Sequence, residues 1–381
     1  MTAPLRPSPH TADGTWFIGL MSGTSTDGVD AVLARLRDDH PPECIAMASI
    51  GFPAALRDTL LALNTPGADE LHRAALAANE LVQCYAQAVA DVLRQTGMPA
   101  SAITAIGAHG QTVRHRPELG YTLQINAPAR LAELTGISVV SDFRSRDVAA
   151  GGQGAPLVPA FHAEIFASDL TQVILNLGGI ANITVLEPGV MPKGFDTGPS
   201  NVLLDLWCAR HLDKAYDENG AWAASGQSNP ALLAYLLASE PWFDRAPPKS
   251  TGRDLFNATW LDERLAHFQS THARMAAEDV QATLSVLTAT SVANAISRWA
   301  SPPDQLWVAG GGAMNPTLLR DLATALRIPV VTTDQRGVPT QAVEALAFAW
   351  LARAYCTGRA GNFPGVTGAA GPRVLGQYNP A

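Results

Sequence analysis

The sequence predicts an α/β protein built from two domains. Its 381 residues are more than a domain with a single hydrophobic core usually contains. Two segments about 155 residues apart, 16–33 and 173–186, each consist of a strand, a glycine-containing turn and a second strand. A strand at 305–309 then leads into three consecutive glycines and a helix. Because both halves open with the same motif, we expect two related domains with a ligand cleft between them.

Composition restricts the class of protein and of partner. Hydrophobic residues make up 47% of the chain and charged residues 16%, as in an ordinary globular protein, and no apolar run is long enough for a membrane span. The formal net charge of -8 disfavours nucleic acid as a partner, because a phosphate backbone is bound by a basic face. The four cysteines are scattered without a C-x-x-C pair, which disfavours a zinc site and a disulfide framework. We expect a cytoplasmic protein that acts on a small molecule, away from membranes.

The turn of the first hairpin is rich in polar residues. Gly23 and Gly28 bracket it and would let the backbone approach a bound group. The turn supplies hydroxyls, carboxylates and backbone N–H groups that suit a phosphate complexed with a metal, from Thr24, Ser25, Thr26, Asp27, Val29 and Asp30. Tight turns are also rich in these residue types for conformational reasons alone. Taken by itself, the turn leaves both interpretations open.

The rest of the first half alternates strands and helices. Apolar spacing predicts a strand at 43–51, helices at 56–63 and 70–96, a strand at 103–108, a helix at 128–135 and a strand at 137–141. His109 and Gln111 follow the strand at 103–108, at the strand end where α/β sheets bind ligands, although His109 could equally be a core histidine. The strand at 137–141 is followed by charges that are either site residues or a solvated run, namely Asp142, Arg144, Arg146 and Asp147. A Gly/Pro-rich segment at 149–159 indicates a hinge or boundary before a helix at 160–167.

The second half opens with the hairpin at 173–186, whose turn holds Gly178 and Gly179. Asp196 precedes a helix at 202–212 that has Pro199 in its first turn. At the positive end of that helix Asp196 would stay ionised and could act as a base, or it could be an ordinary helix cap. A helix follows at 230–238. Residues 249–254 are polar and basic and could reach a ligand, although a solvated loop is favoured.

The last third of the chain carries a second glycine-rich loop. Asp279 is expected to cap a helix that runs to residue 299, and the strand at 305–309 leads into Gly310, Gly311, Gly312 and Asn315. A strand, glycines and the start of a helix let a backbone approach a nucleotide, although neither a Rossmann nor a Walker motif is present. A helix at 316–326, a strand at 328–333 and a helix at 340–355 that carries Glu344 complete this half.

In this order, the two glycine-turned hairpins and the triple-glycine loop resemble the phosphate and adenosine loops of the actin/hexokinase/Hsp70 superfamily. Met21-Ser-Gly-Thr-Ser-Thr-Asp-Gly-Val-Asp30 is similar to the signature of the anhydro-N-acetylmuramic acid kinase family of bacterial cell-wall recycling. Further segments match the same family: His109-Gly-Gln-Thr-Val-x-His115, Asp142-Phe-Arg-x-x-Asp147-Val-Ala-x-Gly-Gly-Gln-Gly-Ala-Pro156, Asn176-Leu-Gly-Gly-Ile-Ala-Asn182, Gly194-Phe-Asp-Thr-Gly-Pro199, Lys249-Ser-Thr-Gly-Arg253 and Gly310-Gly-Gly312.

The resemblance implies two actin-like (ribonuclease H-like) domains with ATP and substrate in the cleft between them. We expect a disordered tail at 1–13, a first domain at 14–150 onto which 356–381 packs back, and a second domain at 151–355. It also implies ATP and Mg²⁺ as cofactors, a homodimer, and hydrolysis of the internal 1,6-ether of 1,6-anhydro-N-acetylmuramic acid with phosphorylation of O6, in peptidoglycan recycling.

The family pattern also implies residue roles. Asp196 would be the base that activates water, and Glu344 would lie near the sugar. Asp27 and Asp30 would organise the metal. The nucleotide would contact residues 23–30, Gly178, Gly179, residues 310–312 and Asn315, and the sugar would contact His109, Gln111, Arg130 and Gln153.

Two other functions compete with this one. A serine hydrolase with Ser25 as nucleophile is disfavoured, because a nucleophile elbow needs a glycine two residues after the serine and a following helix. A non-catalytic actin/Hsp70-like ATP-binding module that acts by domain motion stays open at this stage. Turnover of ATP with the anhydro sugar would separate a kinase from such a module.

Overall fold

The computed structural model describes residues 14–23, 26–38, 40–253 and 255–381. The predicted tail at 1–13 and the predicted nucleotide contacts Thr24 and Ser25 lie outside these residues. By compactness the described chain divides into two units. The first comprises the residues up to Ile165 together with Gly337–Ala381, and the second is Phe166–Arg336. The second domain was expected at 151–355. The segments 151–165 and 337–355 instead belong to the first unit.

The strands, in chain order, are β1 (Thr15–Met21), β2 (Gly28–Leu36), β3 (Glu43–Gly51), β4 (Ile103–Ala108), β5 (Gln111–Arg116), β6 (Tyr121–Ile125), β7 (Val139–Ser141), β8 (Gln172–Leu177), β9 (Ile180–Leu186), β10 (Lys193–Pro199), β11 (Gln305–Ala309), β12 (Val330–Thr332) and β13 (Gln377–Asn379).

The α-helices are α1 (Ala54–Ala62), α2 (Glu70–Thr96), α3 (Pro128–Thr135), α4 (Ser145–Ala149), α5 (Val158–Phe166), α6 (Asn201–Leu212), α7 (Ala221–Ser225), α8 (Pro230–Ala238), α9 (Ala258–Gln269), α10 (Ala277–Trp299), α11 (Pro316–Leu326), α12 (Val343–Thr357) and α13 (Pro364–Thr367).

The first unit is built on a six-stranded sheet in the order β13-β7-β4-β1-β2-β3. β1, β2 and β3 form an antiparallel meander, while β4 lies parallel to β1 and β7 lies parallel to β4. Successive side chains of a strand point to opposite faces. Ile18 and Leu20 of β1 accordingly join the core that also contains the apolar side of α2, whereas Gly19 faces α12.

The second unit repeats this pattern on a five-stranded sheet in the order β10-β9-β8-β11-β12. Here β8, β9 and β10 form the antiparallel meander, and β11 and β12 continue the sheet in parallel. One core fills the space between this sheet and helices α10 and α11. A second core, rich in tryptophan and phenylalanine, joins α6, α8, α9 and α10. The internal repeat and the α/β class expected from the sequence are therefore confirmed.

Several elements differ from the sequence-based expectations. The hairpin β5–β6, helices α4 and α9 and the terminal strand β13 were not expected. Strand β7 begins at Val139 and helix α12 covers Val343–Thr357, so both expected ranges were shifted. Asp279 lies in the first turn of α10, where Ala276 is the N-cap, and the prediction that Asp279 caps this helix was wrong. Within the described residues, no helix is both long enough and apolar enough to cross a membrane.

Candidate active site

The turn of the first hairpin is fixed by the chain around it. Thr26 is buried, has a φ of 56°, and its backbone N–H donates to the Gly23 carbonyl at 3.2 Å. The Asp27 carbonyl accepts a hydrogen bond from the Phe52 N–H at 2.9 Å. Gly28 must be a glycine, because a Cβ atom there would lie 2.4 Å from the Ile50 carbonyl oxygen. Backbone contacts of Thr26 and Asp27, and the close approach at Gly28, therefore help to fix the described part of the turn.

The segment after β4 supports the same turn from the other side. Gln111 Nε2 donates to the Gly23 carbonyl at 3.0 Å, and His109 Nδ1 lies 3.1 Å from the Ser22 carbonyl oxygen. His109 Nε2 faces Arg144, whose Nε and Nη2 lie 3.2 and 3.0 Å away. Burial and the Arg144 charge lower the pKa of His109 to about 3, so its ring is neutral, with Nδ1–H donating to Ser22 and Nε2 accepting from Arg144. Both ring nitrogens therefore have partners, Nδ1 the Ser22 carbonyl beside the turn and Nε2 the Arg144 guanidinium.

Three charged side chains of the first unit influence one another. Burial raises the pKa of Glu344, which lies in the first turn of α12; the Arg144 charge opposes this rise and the Asp30 charge adds to it. Burial lowers the pKa of Arg144 to about 10, so its guanidinium stays positive at neutral pH. Arg144 therefore belongs to a cluster with His109 and Glu344. Of the two interpretations left open for this segment, a solvated run does not hold for Asp147, which is fully buried, whereas Arg146 is exposed.

Asp27 and Asp30 are the carboxylates of the turn that could hold a cation. Burial raises the pKa of Asp30, a hydrogen bond from Ser49 Oγ at 2.5 Å to its Oδ1 lowers it, and the Asp27 charge raises it again. In the described part of the chain no cluster of three or more metal-binding side chains occurs. Mg²⁺ usually takes only one or two protein carboxylates and completes its shell with water and substrate phosphates. The chemistry of this pair fits such an ion.

In the second unit, the turn of the second hairpin meets the triple-glycine loop. The carbonyls of Gly178 and Gly179 accept hydrogen bonds from the first N–H groups of α6, including Asn201 N at 3.1 Å. Gly310 has a φ of 82°, and a Cβ atom there would lie 2.4 Å from Asn176 Oδ1. Gly311 and Gly312 begin a 3-10 turn that covers Gly311–Met314. Asn315 caps α11, since its Oδ1 accepts from the Leu318 N–H at 3.0 Å.

Asp196 lies within β10, four residues before the N-cap of α6, which is Ser200. The prediction that it sits at the mouth of this helix, with Pro199 in the first turn, was therefore wrong. Burial raises the pKa of Asp196 to about 6, while the Thr251 N–H and the Lys249 charge act in the opposite direction. The structure thus gives a partly buried carboxylate that titrates just below neutrality, where the sequence suggested one held ionised by a helix dipole.

The loop around Lys249 was predicted to be solvated; Ser250 and Arg253 are indeed exposed, whereas Lys249 and Thr251 are half-buried and contact Asp196. Thr251 N donates to Asp196 Oδ2 at 2.8 Å, and Asp196 N donates to the Lys249 carbonyl at 3.2 Å. The sequence signal was the Lys249-Ser-Thr-Gly-Arg253 family match; its contact with a residue 55 positions away could not be read from spacing.

Two other residues, Arg130 and Gln153, were expected to contact the sugar together with His109 and Gln111. Arg130 is exposed on α3, and Gln153 is exposed with its backbone N–H bonded to the Thr367 carbonyl at 2.7 Å. Among the described residues, neither has a hydrogen bond to His109 or Gln111.

Comparison with known proteins gives a family. The family model for anhydro-N-acetylmuramic acid kinase matches residues 15–381. The chain is 61% identical over 368 residues to the anhydro-N-acetylmuramic acid kinase of Bordetella petrii, with 97% of each chain covered, and 59% identical over 382 residues to that of Bordetella avium, with 100% of each covered. The chain is also similar to a solved structure, the activator of the 2-hydroxyisocaproyl-CoA dehydratase from Clostridium difficile with bound ADPNP. The two share 12% sequence identity at a TM-score of 0.47, and the match covers 90% of this chain and 96% of the other. The chain belongs to the anhydro-N-acetylmuramic acid kinase family.

Proposed function

We propose that this kinase opens the 1,6-anhydro ring of 1,6-anhydro-N-acetylmuramic acid with water and phosphorylates O6 from ATP and Mg²⁺, giving N-acetylmuramic acid 6-phosphate for peptidoglycan recycling. The names of the relatives support the substrate and the kinase activity. The observation that carries the hydrolytic half is Asp196, because a base with a pKa of about 6 is ionised at neutral pH and still basic enough to take a proton.

The proposed reaction balances with one base. Asp196 takes a proton from water as the water oxygen bonds to C1 of the sugar. The C1–O6 bond breaks and its electron pair stays on O6, which then bonds to the γ-phosphorus of ATP while ADP leaves. Asp196 afterwards releases the proton to solvent. Transfer of a phosphoryl group needs mainly positioning and charge stabilisation, so no nucleophilic side chain is required.

The remaining residues are assigned by family pattern and local geometry. In the first unit, residues 23–30 are proposed to contact phosphate, with Asp27 and Asp30 holding Mg²⁺, which would neutralise phosphate charge. In the second unit, Gly178, Gly179 and residues 310–312 are proposed to contact the nucleotide, with Asn315 shaping the loop. For the sugar we propose Glu344, His109, Gln111, Arg130 and Gln153. A homodimer also stays a prediction, which light scattering of the purified protein would test.

An isotope experiment tests the bond that breaks. The anhydro sugar is labelled with ¹⁸O in its 1,6-bridge and incubated with the enzyme and Mg-ATP. Cleavage at C1 leaves the label in the phosphate ester at O6, which mass spectrometry of the product detects. Label in the hydroxyl at C1 would contradict the proposal, since the C6–O bond would then have broken. Absence of ADP from folded protein that binds ATP would contradict the kinase assignment as a whole.

A substitution tests the base. Asp196→Asn keeps an oxygen that can accept from Thr251 N but cannot take a proton, so turnover should fall by about 10²- to 10⁴-fold. ATP affinity, measured by calorimetry, should change little. Asp262→Asn is the matched control, because Asp262 is an exposed residue of the same unit paired with Arg210. Turnover close to wild type in Asp196→Asn would exclude Asp196 as the base.

A further inference from the structure

We propose that Lys249 is a positioning residue for Asp196, acting through the backbone of residues 249–251 and through its own positive charge. This inference rests on the proposed role of Asp196 as the base. We call residues 249–251 the 249–251 loop.

The 249–251 loop holds Asp196 at two points. The Asp196 backbone N–H donates to the Lys249 carbonyl at 3.2 Å, which ties β10 to the loop. The Thr251 N–H donates to Asp196 Oδ2 at 2.8 Å, which fixes the plane and rotation of the carboxylate. With Oδ2 engaged, Oδ1 is the oxygen that we assign to proton transfer. The orientation of the base therefore depends on where the loop itself is held.

The Lys249 side chain attaches the loop to Trp242 and Phe243, which we call the aromatic platform. Its Nζ donates to the Phe243 carbonyl at 2.9 Å and lies 4.3 Å from the centroid of the Trp242 ring, a cation–π distance. The indole N–H of Trp242 donates to the Ser250 carbonyl at 3.1 Å. One buried tryptophan thus contacts two successive residues of the loop, and the ammonium group supplies a further attachment.

The platform is itself rigid. The carboxylate of Glu240, a buried residue, accepts hydrogen bonds from Trp242 N at 3.1 Å, Trp260 Nε1 at 3.0 Å and Arg264 Nη2 at 2.9 Å. The Trp242 and Phe256 rings pack edge to face, with centroids 5.8 Å apart. A continuous set of contacts therefore runs from helix α9 to the carboxylate of Asp196, and Lys249 and the 249–251 loop are its last part.

The charge of Lys249 adds an electrostatic effect. Its ammonium favours ionised Asp196, and Asp196 in turn favours the charged ammonium. The other charged groups that act on Lys249 are Asp244 and Arg298, which are exposed and paired with each other. Opposite Asp196 on β9 stands Asn182, which is uncharged. Lys249 is thus the cation that opposes the burial of this carboxylate, and removing it should raise the pKa of Asp196.

The test combines three variants. Lys249→Met removes the charge and the hydrogen bond, Lys249→Arg keeps a positive charge, and Lys193→Met is the matched control. Lys193 begins the same strand, but its odd position places it on the face opposite to Asp196. If the Met variant does not fold, Lys249→Gln replaces it, because its amide retains a hydrogen-bond donor while the charge is lost.

Two measurements are made on each variant. The pH profile of kcat/KM for the sugar should show its acid limb raised by about 0.5 to 1 pH unit in Lys249→Met, and unchanged within about 0.2 unit in Lys249→Arg and Lys193→Met. Carbon-13 NMR of protein labelled at the aspartate carboxyls should show the same rise for the resonance that is absent from Asp196→Asn. A structural role alone would lower activity without moving either midpoint.

The outcomes separate this inference from the proposed function. An acid limb and an NMR midpoint that stay in place in folded Lys249→Met would overturn the role of Lys249, even with Asp196→Asn inactive. An active Asp196→Asn would instead remove the base itself, and the NMR midpoint would still report whether Lys249 acts on this carboxylate. A Lys249→Arg variant shifted as far as Lys249→Met would also contradict the inference, because the positive charge would then not be the cause.

Discussion

Asp196 illustrates how burial, and not a helix dipole, can prepare a carboxylate for proton transfer. A dipole would have kept its pKa low, and a carboxylate with a low pKa is a weak base. Burial instead raises the pKa from 3.8 to about 6, and the Thr251 N–H and Lys249 limit the rise. The residue type and the motif around it were predicted from the sequence, but its pKa depends on packing that spacing does not report.

The raised pKa of Asp196 predicts how the activity depends on pH. As the proposed base, Asp196 would work only when deprotonated, so activity should be present above its pKa and lost as the pH falls through it. We expect kcat/KM for the sugar to fall about tenfold per pH unit below about pH 6. Initial rates between pH 4.5 and 8.5 would measure it, and a profile that stays flat down to pH 4.5 would contradict the prediction.

A control is needed because burial also raises the pKa of Asp205, on α6, to about 7. Asp205→Asn should therefore keep the acid limb near pH 6, and a limb that disappears in this variant would assign the titration to Asp205. His109, with a pKa of about 3, is outside the range of interest.

At the scale of elements, helix α12 lies directly on the backbone of two strands. A Cβ atom on Gly19 of β1 would lie 1.8 Å from the Ala345 carbonyl oxygen, and one on Gly107 of β4 would lie 2.0 Å from that of Phe348. α12 is buried along most of its length, and its first turn holds Glu344. These two glycines therefore set how closely the helix, and with it Glu344, approaches the sheet.

We expect Gly19→Ala to destabilise the protein by about 2 to 3 kcal/mol, because the methyl group meets backbone atoms that cannot move without shifting the helix. Urea unfolding followed by circular dichroism would measure the change. Gly51→Ala is the matched control in the same sheet, since a Cβ atom there would lie 3.9 Å from the Asp27 carbonyl oxygen, an ordinary van der Waals distance. Equal stability of the two variants would contradict this account of the contact.

The elements that the sequence predicted are those with local signals. Both glycine-turned hairpins have alternating apolar strands and their own turn chemistry, and helix α2 ends at Gly97 as expected. Strand β13 is only three residues long and pairs with β7 more than 230 residues earlier, so its pairing exists only in the folded chain. Helix α9 did carry a signal, the N-cap Asn257 followed by buried apolar residues at helical spacing, and it could have been predicted.

In the site, too, the features with local sequence signals were predicted and the contacts between distant segments were not. The glycine turns and Asp196 stand in recognisable motifs, whereas the contacts that fix them join distant segments. Arg144 meets His109 across 35 residues and Thr251 meets Asp196 across 55. Whether such charged residues are solvated or buried depends on these contacts, which is why the sequence left residues 142–147 open and favoured a solvated loop at 249–254.

At the scale of the whole molecule, the C-terminal segment closes the first unit after the chain has built the second. Its anchor is Asp147, whose buried carboxylate accepts hydrogen bonds from Gly154 N at 2.8 Å, Asn362 Nδ2 at 2.6 Å and Thr367 Oγ1 at 2.7 Å. Strand β13 then adds an edge to the sheet beside β7. The first unit is therefore incomplete until the last residues are made.

The hydrogen bond between Thr367 and Asp147 offers a test of this closure. Thr367→Val keeps the shape of the side chain but leaves a buried carboxylate with one donor fewer, which should cost about 1.5 to 3 kcal/mol of unfolding free energy in urea titrations. Thr324→Val is the control, because Thr324 is exposed on α11 and bonds only within its own helix in the described structure, to the Arg320 carbonyl at 2.8 Å. Gln153 is proposed to contact the sugar and its N–H donates to the Thr367 carbonyl, so a loosened segment should also raise the KM for the sugar more than that for ATP. If Thr367→Val unfolds like Thr324→Val and binds sugar like the wild type, the segment is attached mainly through β13, and Asp147 does not anchor it.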